Sequence, residues 1–157
     1  MALTLGVNAY GDVAGAETYF TNRLDASGWL SGNATSKAQA LITATSLIDT
    51  IDMVGVALSK TQPLAFPREG SYFDPKYGVV VTLSGIPDRV VKATYELANH
   101  LMTNTGMLDD TGRVLNVKVG DIDVERIRAP NRFPREVRMS LRPLQTDGST
   151  NSWWRAN

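Results

Sequence analysis

Apolar and polar side chains alternate most regularly between Ile86 and Met102, where apolar residues recur at steps of three and four. This spacing collects them on one face of an α-helix. Pro87 suits the first helical position, because its missing N–H costs nothing there, and Asp88 places a negative charge near the positive end of the helix dipole. We expect the helix to end near Thr103, with one face in the core. The other face should meet water or a partner, and it carries Arg89, Lys92, Glu96, Asn99 and His100.

Two further helices are predicted before this one. Asp12 can cap the first, which should run to about Leu24. Ser36 is expected to open the second, with Gln39 three residues later as in a capping box, and Trp29 falls in the connection between the two helices. The second helix should pack on the helix that starts at Pro87, because it carries a broad apolar stripe made of Ala38, Leu41, Ile42, Ala44, Thr45, Ile48 and Ile51.

The remaining periodic segments indicate strands. Residues 52–85 are punctuated by proline and glycine, so one short strand at Val79–Leu83 is predicted in an otherwise long loop. After the third helix the period changes to two, which predicts a β-hairpin over residues 114–127. Its turn at Gly120-Asp121 would place Val119 opposite Ile122 and Lys118 opposite Asp123.

The last segment, residues 129–157, contains three prolines and a polar run, and it predicts an extended arm that does not fold on its own. The fold class expected is therefore mainly α with a β-hairpin: a small helical bundle over residues 1–128, followed by an extended C-terminal tail. Two adjacent tryptophans in such a tail are costly to leave in water, and Trp and Arg are common interface anchors. We interpret Trp153, Trp154 and Arg155 as partner contacts rather than chance aromatics.

The amino-acid composition limits the kinds of metal and catalytic site that this chain can form. The 157 residues include no cysteine and one histidine, which excludes disulfides and thiolate metal sites and makes a histidine-based zinc or catalytic site unexpected. No apolar run is long enough to span a membrane and no signal peptide is evident, so a cytoplasm-like environment is expected. The positions of His100 and Glu96, four residues apart, predict a simple side-chain pair.

No active site is predicted. The Asp49/Asp52 and Asp109-Asp110 pairs would act as acid–base dyads only within a pocket, and the sequence contains no phosphate loop, dinucleotide fingerprint, nucleophile elbow or metal-ligand spacing. We expect no catalytic residues, no metal and no cofactor.

Charge is unevenly distributed although its sum is zero. Residues 1–110 carry 7 basic and 11 acidic side chains, whereas residues 111–157 carry 9 basic and 5 acidic ones. Arginines between Arg126 and Arg142 supply most of the basic excess, and arginine favours bidentate contacts with carboxylates or phosphates. The target could be an acidic protein or a nucleic acid, or the cluster could instead be a solvated charge surface or one shared between subunits. The partner-binding residues predicted from this cluster are Arg135, Arg138 and Arg142.

Several short motifs, weak singly, occur together in a characteristic order after the opening ALTLGVNAY: LITATSLID, LAFPREG, IPDRVVKATYELA, KVGDIDV and RFP. In this order they resemble tailed-bacteriophage proteins labelled DnaT-like single-stranded-DNA-binding proteins, a group that in turn resembles head-to-tail connector, or adaptor, proteins. The resemblance implies a structural protein of the virion, at the head-tail junction, that assembles in the host cytoplasm. It implies a ring of copies, usually twelve, whose partners are the portal protein above and a tail or neck protein below. Genomic double-stranded DNA would pass through the lumen without specific binding, which agrees with zero net charge.

The alternative is a single-stranded-DNA-binding protein of phage replication. Such a protein should expose aromatic side chains interleaved with Lys or Arg. The segment from Arg126 to Arg142 contains one aromatic residue, Phe133.

Overall fold

The computed structural model describes residues 2–104 and 133–146, together with the backbone of residues 118–119 and 122–123. The expected fold class, mainly α with a β-hairpin, is confirmed. The helices are Val13–Thr21 (α1), Ser27–Ser31 (α2), Ala34–Ile48 (α3), Asp88–Thr103 (α4) and Arg135–Leu141 (α5), and a 3-10 turn at Arg142–Leu144 follows the last.

Helix α4 is the centre of the fold. It contacts α2, α3 and α5, and its residues Val90, Ala93, Leu97 and Ala98 are fully buried. Its predicted end near Thr103 is confirmed, while Pro87 caps the helix from just outside rather than occupying its first turn.

The prediction that Asn99 lies on the outer arc of α4 is wrong. Asn99 is buried because α2 packs on that side of the helix. Its side-chain oxygen accepts the backbone N–H of Trp29 at 2.9 Å, and its side-chain amide donates to the Asp25 carbonyl at 3.1 Å.

Two helix starts test the predicted caps. The Asp12 cap of α1 is confirmed, since its carboxylate accepts the Gly15 N–H at 2.7 Å. Helix α3 is instead capped by Asn33, which accepts the Ser36 N–H at 2.8 Å, so the helix begins earlier than the predicted capping box. Its packing on α4 is confirmed. The first helix ends sooner than expected, which leaves Leu24 beyond it and 96% exposed.

The region predicted as a long loop contains two small antiparallel hairpins. Val56–Ala57 (β1) pairs with Arg68–Glu69 (β2), and Ser71–Asp74 (β3) pairs with Val79–Thr82 (β4). The predicted strand at Val79 is therefore confirmed, but its partner β3 was not predicted.

Lys118–Val119 (β5) and Ile122–Asp123 (β6) form a third hairpin. It has the predicted register, with Lys118 opposite Asp123 and Val119 opposite Ile122. The rest of the hairpin predicted over residues 114–127 lies outside the described residues.

The extended conformation predicted for residues 129–157 is wrong between Arg135 and Leu144. Val137, Leu141 and Leu144 are fully buried, since their spacing of four and three residues points them to one side of a helical turn. The chain is then fastened to the segment after α3: the Val54 N–H donates to the Leu144 carbonyl at 2.8 Å. This end of the chain completes the core instead of extending from it. The predicted boundary at residue 128 lies outside the described residues.

Candidate functional site

Three of the predicted partner-binding residues lie together on the outer side of α5. Arg135, Arg138 and Arg142 are exposed and follow one another at steps of three and four, with Met139 between them at 53% exposure. We call these four residues the arginine face. It exists because Val137 and Leu141 turn the opposite side of the short helix into the core.

The arginine face is held on a fixed support. The Ser140 hydroxyl donates to the Arg89 carbonyl at 3.0 Å, which ties α5 to the first turn of α4. Within the described part of the chain no carboxylate forms a salt bridge with Arg135, Arg138 or Arg142. Their guanidinium groups are thus presented outward, in a form suited to carboxylates or phosphates.

The remaining predicted contacts are not brought to this face by described residues. Trp153, Trp154 and Arg155 lie outside the residues that the structure describes. Phe133, the aromatic residue of the arginine-rich segment, is half-buried and packs against the core. Part of its ring is therefore unavailable for stacking on a base.

A second surface is the β3–β4 hairpin, which sequence reasoning missed because β3 shows no clear alternation. Phe73 and Val80 are cross-strand partners, exposed by 58% and 68% on the outward side of the hairpin. Tyr77 is exposed at the turn, with the Lys76 Nζ 4.9 Å from its ring centroid. We call Phe73, Tyr77 and Val80 the hairpin face.

The inner side of this hairpin is joined to α4 by a buried ion pair. Arg89 donates to both carboxylate oxygens of Asp74, with Nε 3.0 Å from Oδ2. The Tyr72 hydroxyl and the Lys76 backbone N–H add bonds of 3.3 and 2.8 Å to the same carboxylate. The Arg89 guanidinium therefore lowers the pKa of Asp74, and the bidentate pair fixes the hairpin on the helix.

A groove of about 330 Å³ remains between the hairpin and the start of α4. It is lined by Tyr72, Lys76, Val81, Pro87, Lys92 and Ser140, among others. Asp74 and Arg89 form a largely buried ion pair in this groove, and the exposed side chains of Asp88 and Lys92 form a second pair. The groove shows no arrangement of nucleophile and base that would indicate catalysis.

Glu96 and Asp49 make structural contacts, whereas the Asp109-Asp110 pair lies outside the residues that the structure describes. Glu96 accepts the Tyr19 hydroxyl at 2.7 Å and pairs with Arg23 at 2.6 Å, so its predicted pairing with His100 is wrong. Asp49 accepts the Tyr10 hydroxyl and the Ala65 N–H, and burial raises the pKa of its carboxyl.

The Asp49/Asp52 pair does not form a dyad, because Asp52 is exposed while Asp49 is engaged by Tyr10 and Ala65. Among the described residues no three His, Asp or Glu side chains are placed to hold a metal ion. None of the described helices combines the length and apolar character needed to cross a bilayer.

Comparison with known protein families identifies a match. A family model described as "Putative DnaT-like ssDNA binding protein" matches residues 2–154, nearly the whole chain. No curated protein and no solved structure matches it. The match confirms the family label to which the ordered sequence motifs pointed.

Proposed function

This chain belongs to the DnaT-like ssDNA-binding family, and from that premise we propose that it acts by binding rather than by catalysis, as a structural component of a phage particle. In this proposal it is the head-to-tail connector, a ring of copies between the portal and the tail. Genomic double-stranded DNA passes through the lumen of the ring. The protein assembles in the host cytoplasm and remains at the head-tail junction of the virion.

The observation that carries this proposal is the chemistry of the arginine face. Three arginines lie beside an exposed methionine, together with the exposed Glu136, and Arg and Met are enriched in protein–protein interfaces. The face contains no aromatic side chain, whereas proteins that grip single strands use aromatic platforms for the bases. It therefore suits an acidic protein surface, and we assign that surface to the portal protein.

Charge balance agrees with a conduit. The side chains that the structure describes include ten basic and ten acidic groups, and the whole chain also sums to zero. Each phosphate that a protein neutralises adds salt-dependent affinity for DNA, so a balanced surface lets DNA pass without being held. Trp153, Trp154 and Arg155 are proposed to make a second contact with the portal. The next neck or tail protein would bind the opposite side of the ring.

The test is electron microscopy of this protein mixed with the portal protein of the same phage. An added ring of density beneath the portal is expected. Replacing Arg135→Gln and Arg138→Gln together should weaken portal binding at least tenfold. The control Lys60→Glu changes the net charge by the same two units at an exposed position elsewhere on the surface and should leave binding unchanged. Equal behaviour of the two variants would contradict the role of the arginine face, and absence of a ring would contradict the connector function.

A second candidate is single-stranded DNA binding, which the family description and the hairpin face favour. Phe73 and Tyr77 are exposed aromatics beside Lys76, a combination on which bases could stack. Anisotropy of a labelled oligonucleotide at physiological salt tests it. Micromolar or tighter binding that Tyr77→Ala abolishes, in a protein that does not bind the portal, would replace the connector proposal with this one.

A further inference from the structure

Exposed apolar side chains occur at both ends of α4. The hairpin face lies at the start of the helix, where Arg89 holds β3 through Asp74. At the other end Asn99 holds Trp29 and Asp25, and the flanking residues Leu24 and Leu30 are exposed. We call Leu24 and Leu30 the leucine end.

The two apolar surfaces cannot meet within one chain. Helix α4 has 16 residues, which at about 1.5 Å per residue separates its ends by roughly 24 Å. Both are fastened to this rigid helix by buried polar contacts, so neither can fold over to cover the other. A second copy, placed head to tail, can bring the hairpin face of one subunit onto the leucine end of the next.

The charges beside these surfaces are complementary. At the hairpin end Asp74 and Asp88 are paired with Arg89 and Lys92, and Lys76 has no ion-pair partner among the residues described.

At the leucine end the corresponding charge is negative. Arg23 is paired with Glu96, and Asp25 is exposed without an ion pair in the described part of the chain. One end thus offers apolar surface with a spare positive charge, and the other offers apolar surface with a spare negative charge.

We propose that the hairpin face of each subunit docks on the leucine end of its neighbour, with Lys76 facing Asp25 across the contact. The two surfaces differ, so the contact is heterologous, and heterologous contacts repeat into a closed ring when the rotation permits. A symmetric contact between two hairpins is disfavoured because it would bring two Lys76 side chains together. This inference rests on the proposed ring function, because the two surfaces are the ones that would join neighbouring subunits of that ring.

The absence of native cysteine permits a clean cross-linking test. Single-cysteine variants Leu24→Cys and Phe73→Cys are mixed and treated with a short bismaleimide, with the portal protein and also without it at high protein concentration. The mixture should give a cross-linked dimer that contains one of each variant, and neither variant alone should give one. Ser46→Cys, an exposed position on α3, is the control and should not cross-link with either.

Charge exchange supplies a second measurement. Lys76→Glu should lower the yield of the mixed dimer about three- to fivefold, as expected for one exposed charge pair. Adding Asp25→Lys on the partner variant should restore the yield. A loss that the second substitution does not restore would contradict the pairing of these two residues.

The outcomes separate this inference from the connector proposal. A ring beneath the portal without mixed cross-links, or with cross-links between two Phe73→Cys chains, would overturn the docking mode and leave the connector function standing. Mixed cross-links without a ring would support the docking mode and refute the connector function. Neither ring nor cross-link at any concentration would refute both.

Discussion

Replacing Asn99 by alanine tests how the short helix α2 is held. This helix has five residues, and its N-cap, Ala26, makes no side-chain hydrogen bond to the helix. The cap comes instead from α4, where the Asn99 side chain accepts the backbone N–H of Trp29 at 2.9 Å. Asn99 also binds the Asp25 carbonyl at 3.1 Å, so one buried amide satisfies the backbone on both sides of the start of α2.

The expected loss follows from these two bonds. A buried N–H left without a partner costs about 1–3 kcal/mol, and loss of the second bond adds about 1 kcal/mol. Asn99→Ala should therefore lower the free energy of unfolding by about 2–4 kcal/mol, a large part of the 5–15 kcal/mol typical of a domain. With a urea m-value of about 2 kcal/mol/M, the midpoint should fall by roughly 1–2 M.

Urea unfolding followed by far-UV circular dichroism measures this change. Asn22→Ala is the matched control, because Asn22 is exposed and its side chain forms no hydrogen bond with described residues. The control should change the free energy of unfolding by less than about 0.5 kcal/mol. If Asn99→Ala shifted it no further than Asn22→Ala, the bonds from α4 would not be what holds α2, and the reasoning would be refuted.

Three further substitutions test other parts of the core. Tyr10→Phe removes the hydroxyl that accepts the buried backbone N–H of Phe66 at 3.2 Å. The free energy of unfolding, measured by urea titration, should fall by about 1–3 kcal/mol. No change would mean that water satisfies this N–H. Arg89→Gln removes the partner of Asp74, whose pKa is lowered in the folded state. At pH values above about 3.9, the pKa of the unfolded carboxyl, the variant should therefore melt at a lower temperature than the native chain. This difference in melting temperature should disappear as the pH falls through the lowered folded-state pKa. A difference that does not depend on pH would count against the ion pair. Gly28→Ala would place a Cβ 2.9 Å from the backbone carbonyl oxygen of Asn99, so it should destabilise the protein by about 1–3 kcal/mol even though alanine favours helix. Thermal unfolding measures this change. A gain in stability would show that α2 can move away from α4.

Periodicity predicted the elements whose stability is largely local. Helices α3 and α4 were found because each is fifteen or sixteen residues long and carries an apolar stripe. The register of β5 and β6 followed from strict alternation around a two-residue turn. In each case neighbours along the chain carry the signal.

The missed elements depend on distant partners. Helix α2 is too short to be recognised and takes its cap from Asn99, seventy residues later in sequence. Strand β3 is fixed by Arg89 of α4, and its sequence gave no alternation that predicts it. Helix α5 stands among prolines and arginines that suggested an extended arm, and only the spacing of Val137, Leu141 and Leu144 could have indicated a buried face.

The candidate site was predicted in part. The arginines were predicted to be partner contacts, a role that stays a prediction, and their arrangement on one helical face required α5, which was not foreseen. The hairpin face was not predicted because β3 was not.

The position of α5 has a consequence for protein synthesis. Leu141 and Leu144 fill the core against elements made much earlier, and the backbone near Leu144 closes on Val54. Until these residues have left the ribosome, the apolar side of α4 that they cover in the folded protein stays exposed. Chaperones bind such surfaces in unfinished proteins. Completion of the core is thereby coupled to translation through Leu144, and a chain truncated before α5 should be removed by proteolysis.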